Sequence, residues 1–284
     1  MKSTVSLRKR LLICAIGFAS IVCLLLVILV PKWQASRKVI KFSVDDATEI
    51  LMEISINDYD SIFESDRMLL FKEMHEKYDL DVTLFLFENL GNYSLAGFPD
   101  IYKNEFKDNS DWLKLGWHGI DDGNPQESGY TGDDLIQSYI NTTDEIIRFA
   151  GKKSLSKELR IHYWYTDDEA LISYLSKNGV NAFYYCDTDA LGYDFTQDED
   201  KSIRSDVNGV LCKRYGFRKV SYILTDIRLD YIRNDEELIS LLQSRIEDRE
   251  IVIFTHAWVL NNSSQYIETM CRWAIDNYYL MNWN

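Results

Sequence analysis

Short apolar runs alternate with stretches of helical periodicity along most of this chain, and that alternation limits the folds open to it. Strand-like runs lie at 39–44, 82–87, 113–117, 159–165, 180–186 and 251–255. Between them, apolar residues recur at three- and four-residue spacing over 62–78, 133–149, 167–177, 236–246 and 265–276, as they do on one face of a helix. Asp133, Asp167 and Asn234 stand where helix N-caps are expected, and Gly179 where a helix ends. Strands alternating with helices of about 10–15 residues predict a parallel sheet with crossover helices. Six or seven such units over about 245 residues suit a single α/β domain, a distorted (β/α)7-type barrel of parallel strands. The stretch 184–230 breaks the rhythm. Its Asn208-Gly209 pair, flanked by V-L-C-K-R-Y and K-V-S-Y-I-L-T, predicts a hairpin or an irregular strand pair.

Ahead of the first strand, residues 11–30 read LLICAIGFASIVCLLLVILV, without one charge. A bilayer core takes about 20 apolar residues in a helix, so this run predicts a transmembrane anchor. Lys2, Arg8, Lys9 and Arg10 precede it, and Lys32, Arg37 and Lys38 follow. That bias slightly favours a cytoplasmic N-terminus. The expected organisation is a cytoplasmic basic tail over 1–10, a transmembrane helix over 11–30, a tether over 31–38 and a domain over 39–284 on the extracellular side of the cell membrane. A cleaved signal peptide is the alternative, but its apolar region is normally about 7–15 residues, and no A-x-A site follows Val30.

Charge and cysteine usage narrow the partners. The chain carries 31 Lys and Arg against 45 Asp and Glu, a net charge of −14. That balance argues against nucleic acid and against a basic membrane-surface patch. Of the five Cys, Cys14 and Cys23 fall in the apolar run, leaving Cys186, Cys212 and Cys271 as an odd, widely spaced set. With no C-x-x-C pair, they read as small buried apolar residues rather than disulfides or thiolate metal ligands.

The four histidines divide unevenly. His75 lies within the helical pattern beside Glu73 and Glu76 and reads as helix surface. His118, His162 and His256 each fall at or near the C-terminal end of an expected strand, as do the adjacent carboxylates Asp45 and Asp46. In parallel α/β barrels that end of the sheet gathers the active site. Imidazole with carboxylate is also a ligand set suited to zinc and other first-row divalent metals. In an extended strand Arg160 and His162 share a face, and so do Phe254 and His256. A buried Arg160 needs an anion, for which Asp45 is the natural candidate.

Four motifs, taken together, resemble those of the NodB-homology polysaccharide deacetylases, the carbohydrate esterase family 4 type. S-V-D-D-A (43–47) looks like the family's T-F-D-D-G, and G-W-H-G-I-D-D (116–122) like its His-x-x-x-His. L-R-I-H-Y (159–163) is similar to Arg-x-Pro-Tyr, and I-F-T-H (253–256) to Leu-x-His. The resemblance implies Asp45 as catalytic base, Arg160 as the residue that orients it and His256 as general acid. It implies Asp46 and His118 as metal ligands, with zinc the expected ion. Asp122 occupies the place of the second metal histidine, His162 that of the proline and Ala47 that of the glycine. The third ligand is therefore either Asp122 or His162, the latter by parity from a neighbouring strand. Trp117, Tyr163, Trp164 and Trp258 flank the motifs and are candidates for stacking on sugar rings. The implied activity is removal of N-acetyl or O-acetyl groups from a polysaccharide. Two other readings stay open: a silent glycan-binding protein on the same fold, and a two-carboxylate glycosidase pairing Asp45 with Asp187 or Asp189.

Overall fold

Alternate residues of the first strand face opposite environments. In β1 (Lys38–Asp45), Ile40, Phe42 and Val44 pack beneath helices in one apolar cluster. Lys41 and Asp45 instead meet charged partners, Glu158 and Arg160, inside the sheet's curve. The computed structural model describes residues 37–282 apart from 167, 168, 189, 190 and 194. The chain divides into a unit Met1–Lys38 and a unit Val39–Asn284. The expected tail, anchor and most of the tether lie outside the described residues, among which no helix is long and apolar enough to cross a membrane.

Beyond β1 the strands of the main sheets are β2 (Val82–Phe87), β3 (Leu113–Gly119), β4 (Glu158–Leu159), β5 (Ala182–Tyr185), β6 (Val210–Tyr215), β7 (Arg218–Leu224), β8 (Ile227–Arg228), β9 (Glu250–His256) and β10 (Tyr279–Leu280). One sheet runs β8-β9-β1-β2-β3, with β10 also on β1; another runs β4-β5-β7-β6. A parallel bridge between Leu115 and Leu155 links them on one side. On the other side one continuous segment does so: Thr225 N–H donates to Tyr185 O, and the next amide, Asp226 N–H, to Val252 O. The walls thus form a barrel-like, mainly parallel α/β fold, in which the β6–β7 pair is antiparallel. β2 is buried along its whole length, as a strand covered on both faces should be.

The crossover helices are α1 (Thr48–Asn57), α2 (Asp66–Tyr78), α3 (Gly132–Phe149), α4 (Glu169–Lys177), α5 (Gln197–Ser205), α6 (Asp235–Ser244) and α7 (Leu260–Asp276). Asn234 caps α6 as expected, accepting from Glu237 N–H, whereas α3 is capped by Thr131 in a reciprocal box with Asp134 rather than by Asp133. The periodic stretch 62–78 is interrupted, because Ser65 adopts an extended conformation between a short 3₁₀ turn and α2. α1 was not legible as a helix: it is ten residues long with three isoleucines, weak helix formers, and it forms by burying Ile50, Leu51 and Ile54.

One expected strand shrinks, and one expected turn moves. The run 159–165 keeps only β4, since Tyr163 and Trp164 take left-handed φ values of 51° that no strand accommodates. The expected hairpin exists, but its turn is at Gly216 (φ 62°) and Phe217, while Gly209 merely precedes β6. Cys186 and Cys271 are buried as expected and Cys212 is exposed. His75 is half-buried, stacked on Trp112 at 4.6 Å.

Candidate metal and acid–base site

The C-terminal ends of β1, β3 and β9 and the loop after β4 bring five expected residues into one pocket of about 490 Å³: Asp45, Asp46, His118, Arg160 and His256. His162, Asp122, Tyr163, Trp164 and Trp258 also line it, with Thr188 and Arg228. Trp117 does not. It is fully buried, and its indole N–H donates to Ser138 on α3, because the parity of β3 turns it outward while His118 turns inward. Asp187 is not among the pocket residues and Asp189 lies outside the described residues.

The adjacent carboxylates separate through a backbone turn. Asp45 ends β1 opposite His256, with Oδ2 3.5 Å from Arg160 Nε, and both side chains are almost fully buried. Asp46 has φ 58°, a left-handed conformation that aspartate tolerates better than most residues. That reversal carries its side chain to His118, with Oδ1 3.4 Å from Nε2. On its other side Trp258 Nε1–H donates to Asp46 Oδ2 at 3.1 Å. Burial would raise the Asp46 pKa, but the His118 hydrogen bond and the three nearby imidazoles outweigh it and hold the carboxyl below its usual range.

His118 Nδ1–H donates to Arg160 O at 2.6 Å, which fixes the ring and aims Nε2 at Asp46. Burial lowers its pKa, and the charges of Asp45 and Asp46 with the Arg160 carbonyl reverse the shift and raise it. His162 opens the 3₁₀ turn after β4, with Nδ1 3.3 Å from His118 Nε2. A Cβ at position 119 would stand 3.3 Å from His162 Cβ, so Gly119 leaves the room this approach requires. Burial, reinforced by His118, pushes His162 down to about 3, so its ring is neutral at pH 7 and carries a lone pair.

Ligand atoms of Asp46, His118 and His162 all lie within 4.8 Å of one another. An ion with bonds of about 2.1 Å in tetrahedral geometry sets its ligands about 3.4 Å apart, and the two distances meeting at His118 Nε2 are 3.4 and 3.3 Å. Asp46 Oδ1, which the His118 ring approaches at 3.4 Å, is buried without a well-formed hydrogen bond among the described residues, although an unpaired buried polar group costs about 1–3 kcal/mol. The three residues fit a divalent metal ion. Asp122 shares the pocket but not this cluster. The turn around it is held by Asp121, whose Oδ1 accepts from Gly123 N–H.

Beside the cluster stands a pair that the motifs did not reveal. Asp230 Oδ2 lies 2.5 Å from His256 Nδ1 and accepts from Arg228 Nε at 2.6 Å. Its Oδ1 accepts from Thr255 Oγ1 and His256 N–H. Burial raises the Asp230 pKa, and the His256 hydrogen bond and charge overcome it and drive the carboxyl far below its usual range. The ring is thereby oriented with Nε2 as its remaining polar atom. Sequence offered one signal, the alternation Ile227-Arg228-Leu229-Asp230, which puts the cation and the acid on one side of the chain.

No protein-family model matches the sequence, and no curated protein does. Two solved structures align with this chain. The 4-alpha-glucanotransferase from Thermococcus litoralis aligns with a TM-score of 0.53 at 13% identity, covering 86% of this chain and 37% of its own. The chain thus spans little more than a third of that protein's length. A family 4 carbohydrate esterase from Streptomyces lividans, solved in complex with acetate, aligns at a TM-score of 0.41 and 11% identity, over 86% of this chain and 91% of its own. The first likeness is one of fold alone.

Proposed function

We propose that this chain is a metal-dependent deacetylase that hydrolyses N-acetyl or O-acetyl groups of a cell-surface or extracellular polysaccharide, held at the membrane by residues 11–30. The observation that carries the reading is the convergence, in one pocket, of a three-ligand cluster, a buried Arg160–Asp45 pair and a His256–Asp230 pair. Asp46, His118 and His162 would hold the ion. When bound there it would polarise an acetyl carbonyl and lower the pKa of a water.

The remaining chemistry falls to the chain's own side chains. Asp45 takes a proton from the attacking water, with Arg160 keeping its charge compensated. As the carbonyl carbon forms its new C–O bond and the C–N or C–O bond to the sugar breaks, His256 delivers a proton to the leaving nitrogen or oxygen. Asp230 holds the imidazole and balances that proton. Tyr163 and Trp258 are more than half exposed at the mouth and offer flat apolar faces to a sugar ring. Trp164 Nε1, buried without a hydrogen-bond partner among the described residues, offers a donor to a hydroxyl or carbonyl.

Acetate release from acetylated glycans, measured with and without a chelator, tests this reading. Release that stops with chelator and returns with zinc is expected. Chelator-insensitive release would overturn the metal's part, and a folded protein that neither binds zinc nor releases acetate would leave a glycan-binding protein instead.

A further inference from the structure

The end of the barrel opposite the pocket carries an arc of cations, although the chain as a whole is strongly acidic. Parallel strands begin there, and residues at those beginnings gather the charge. Lys114 is the second residue of β3, Lys157 precedes β4, and Lys152 and Lys153 form the turn before Leu155. These four lysines line a cavity of about 660 Å³ with two acids, Asp111 and Glu158, and with Asn181, the residue before β5. From Asn181 the arc continues to Arg218 and Lys219 at the start of β7. Among the described residues none of these six cations makes an ion pair, whereas Lys213 on the same hairpin is held by Glu199. Burial lowers the Lys114 ammonium, with Lys157 and Lys153 pushing the same way against Asp81 and Asp111.

At the tip of the β6–β7 hairpin, Phe217 is fully exposed between Gly216 and Arg218. An aromatic ring projecting from a ring of cations is a pairing suited to the interface of an anionic bilayer. β1 begins at this end, and only seven residues, 31–37, separate it from the apolar run 11–30. Seven residues reach at most about 25 Å when fully extended.

We propose that this arc docks on an anionic phospholipid surface, with Phe217 entering the headgroup region, the lysines meeting lipid phosphates and the catalytic pocket opening away from the membrane. The proposal rests on the reading of residues 11–30 as an anchor. Each cation close to such a surface contributes about a fivefold gain in binding.

The full chain, reconstituted in vesicles of phosphatidylcholine alone or mixed with phosphatidylglycerol, tests it by flotation and hydrogen–deuterium exchange. It should float with both, and amides at 152–157 and 214–219 should exchange more slowly only on the mixed vesicles. Combining Lys152→Glu, Lys153→Glu and Lys157→Glu should abolish the slowing at 152–157, Phe217→Ser should weaken it at the hairpin, and acetate release from a soluble glycan should be unchanged in both variants. Flotation with identical exchange on both vesicles would overturn the docking face while keeping the anchor. Failure to float would overturn both, and slowing that survives the charge reversals would overturn the electrostatic assignment.

Discussion

Neutralising Arg160 alone should remove much of the domain's stability, whereas neutralising Arg160 and Asp45 together should restore most of it. Their charged atoms are 3.5 Å apart and the side chains are 2% and 3% exposed. At an effective dielectric near 20, that separation corresponds to an attraction of about 5 kcal/mol. Removing one partner of a buried pair typically costs about 3–5 kcal/mol, because the remaining charge is left uncompensated. Arg160 also stacks on Phe254 at 4.0 Å and Tyr184 at 5.2 Å, packing that a methionine largely keeps. Arg160→Met and Asp45→Asn should therefore each cost about 3–5 kcal/mol, and the double variant no more than about 2. Urea unfolding of the fragment from Lys38 onward, followed by circular dichroism in chelator, supplies all four corners of the cycle. Additive losses in the double variant would refute the pairing.

Asp230→Asn should lower kcat about a hundredfold while leaving KM and zinc content near wild type, since it touches the acid and not the cluster; steady-state kinetics with metal analysis checks both. Trp258→Phe keeps the ring but removes the 3.1 Å hydrogen bond to Asp46, so zinc affinity in a competition titration should fall about 10–100-fold. An unchanged affinity would remove Trp258 from the support of the ligand. His162 sits at about 3 when folded against an ordinary value near 6.5, so its contribution to stability is present above that ordinary value and is lost as pH falls. In chelator, the stability of wild type relative to His162→Gln should drop by about 2 kcal/mol between pH 7.5 and 5, and a flat difference in chemical denaturation would contradict a buried neutral imidazole.

How far the sequence could be read depended on whether a feature was carried by local pattern or by contact across the fold. The parallel strands showed themselves as apolar runs because β1, β2 and β9 are covered on both faces. The place of Asp45, Asp46, His118 and His256 at strand ends followed from where those runs stop. Strand parity also set Arg160 toward Asp45, although the chain leaves the sheet at Leu159 and the ion pair forms from loop backbone. His162 was expected on the same argument and reaches the pocket by another route. Consecutive left-handed residues at Tyr163 and Trp164 turn the chain, a conformation that costs about 1–3 kcal/mol per residue and that no pattern announces. It is accommodated partly by Gly192, where a Cβ would stand 2.7 Å from Trp164 Cβ. Trp117 illustrates the converse, since proximity to a motif placed it with the sugar-facing aromatics and its neighbours in β3 bury it under α3. Asp230 was hidden because its partner is distant in sequence. The overall charge of −14 argued against a basic surface, and it averages over an arc of cations that only the strand order assembles.

Zinc binding by single-residue variants tests the centre of this account most directly. Equilibrium dialysis with metal analysis should find a single equivalent in wild type, and none at matched free zinc in Asp46→Ala, His118→Ala and His162→Ala. Asp122→Ala and Asp45→Asn should keep the ion, the latter without turnover. Retention of zinc by His162→Ala together with its loss from Asp122→Ala would contradict the ligand set and move the metal to the carboxylate.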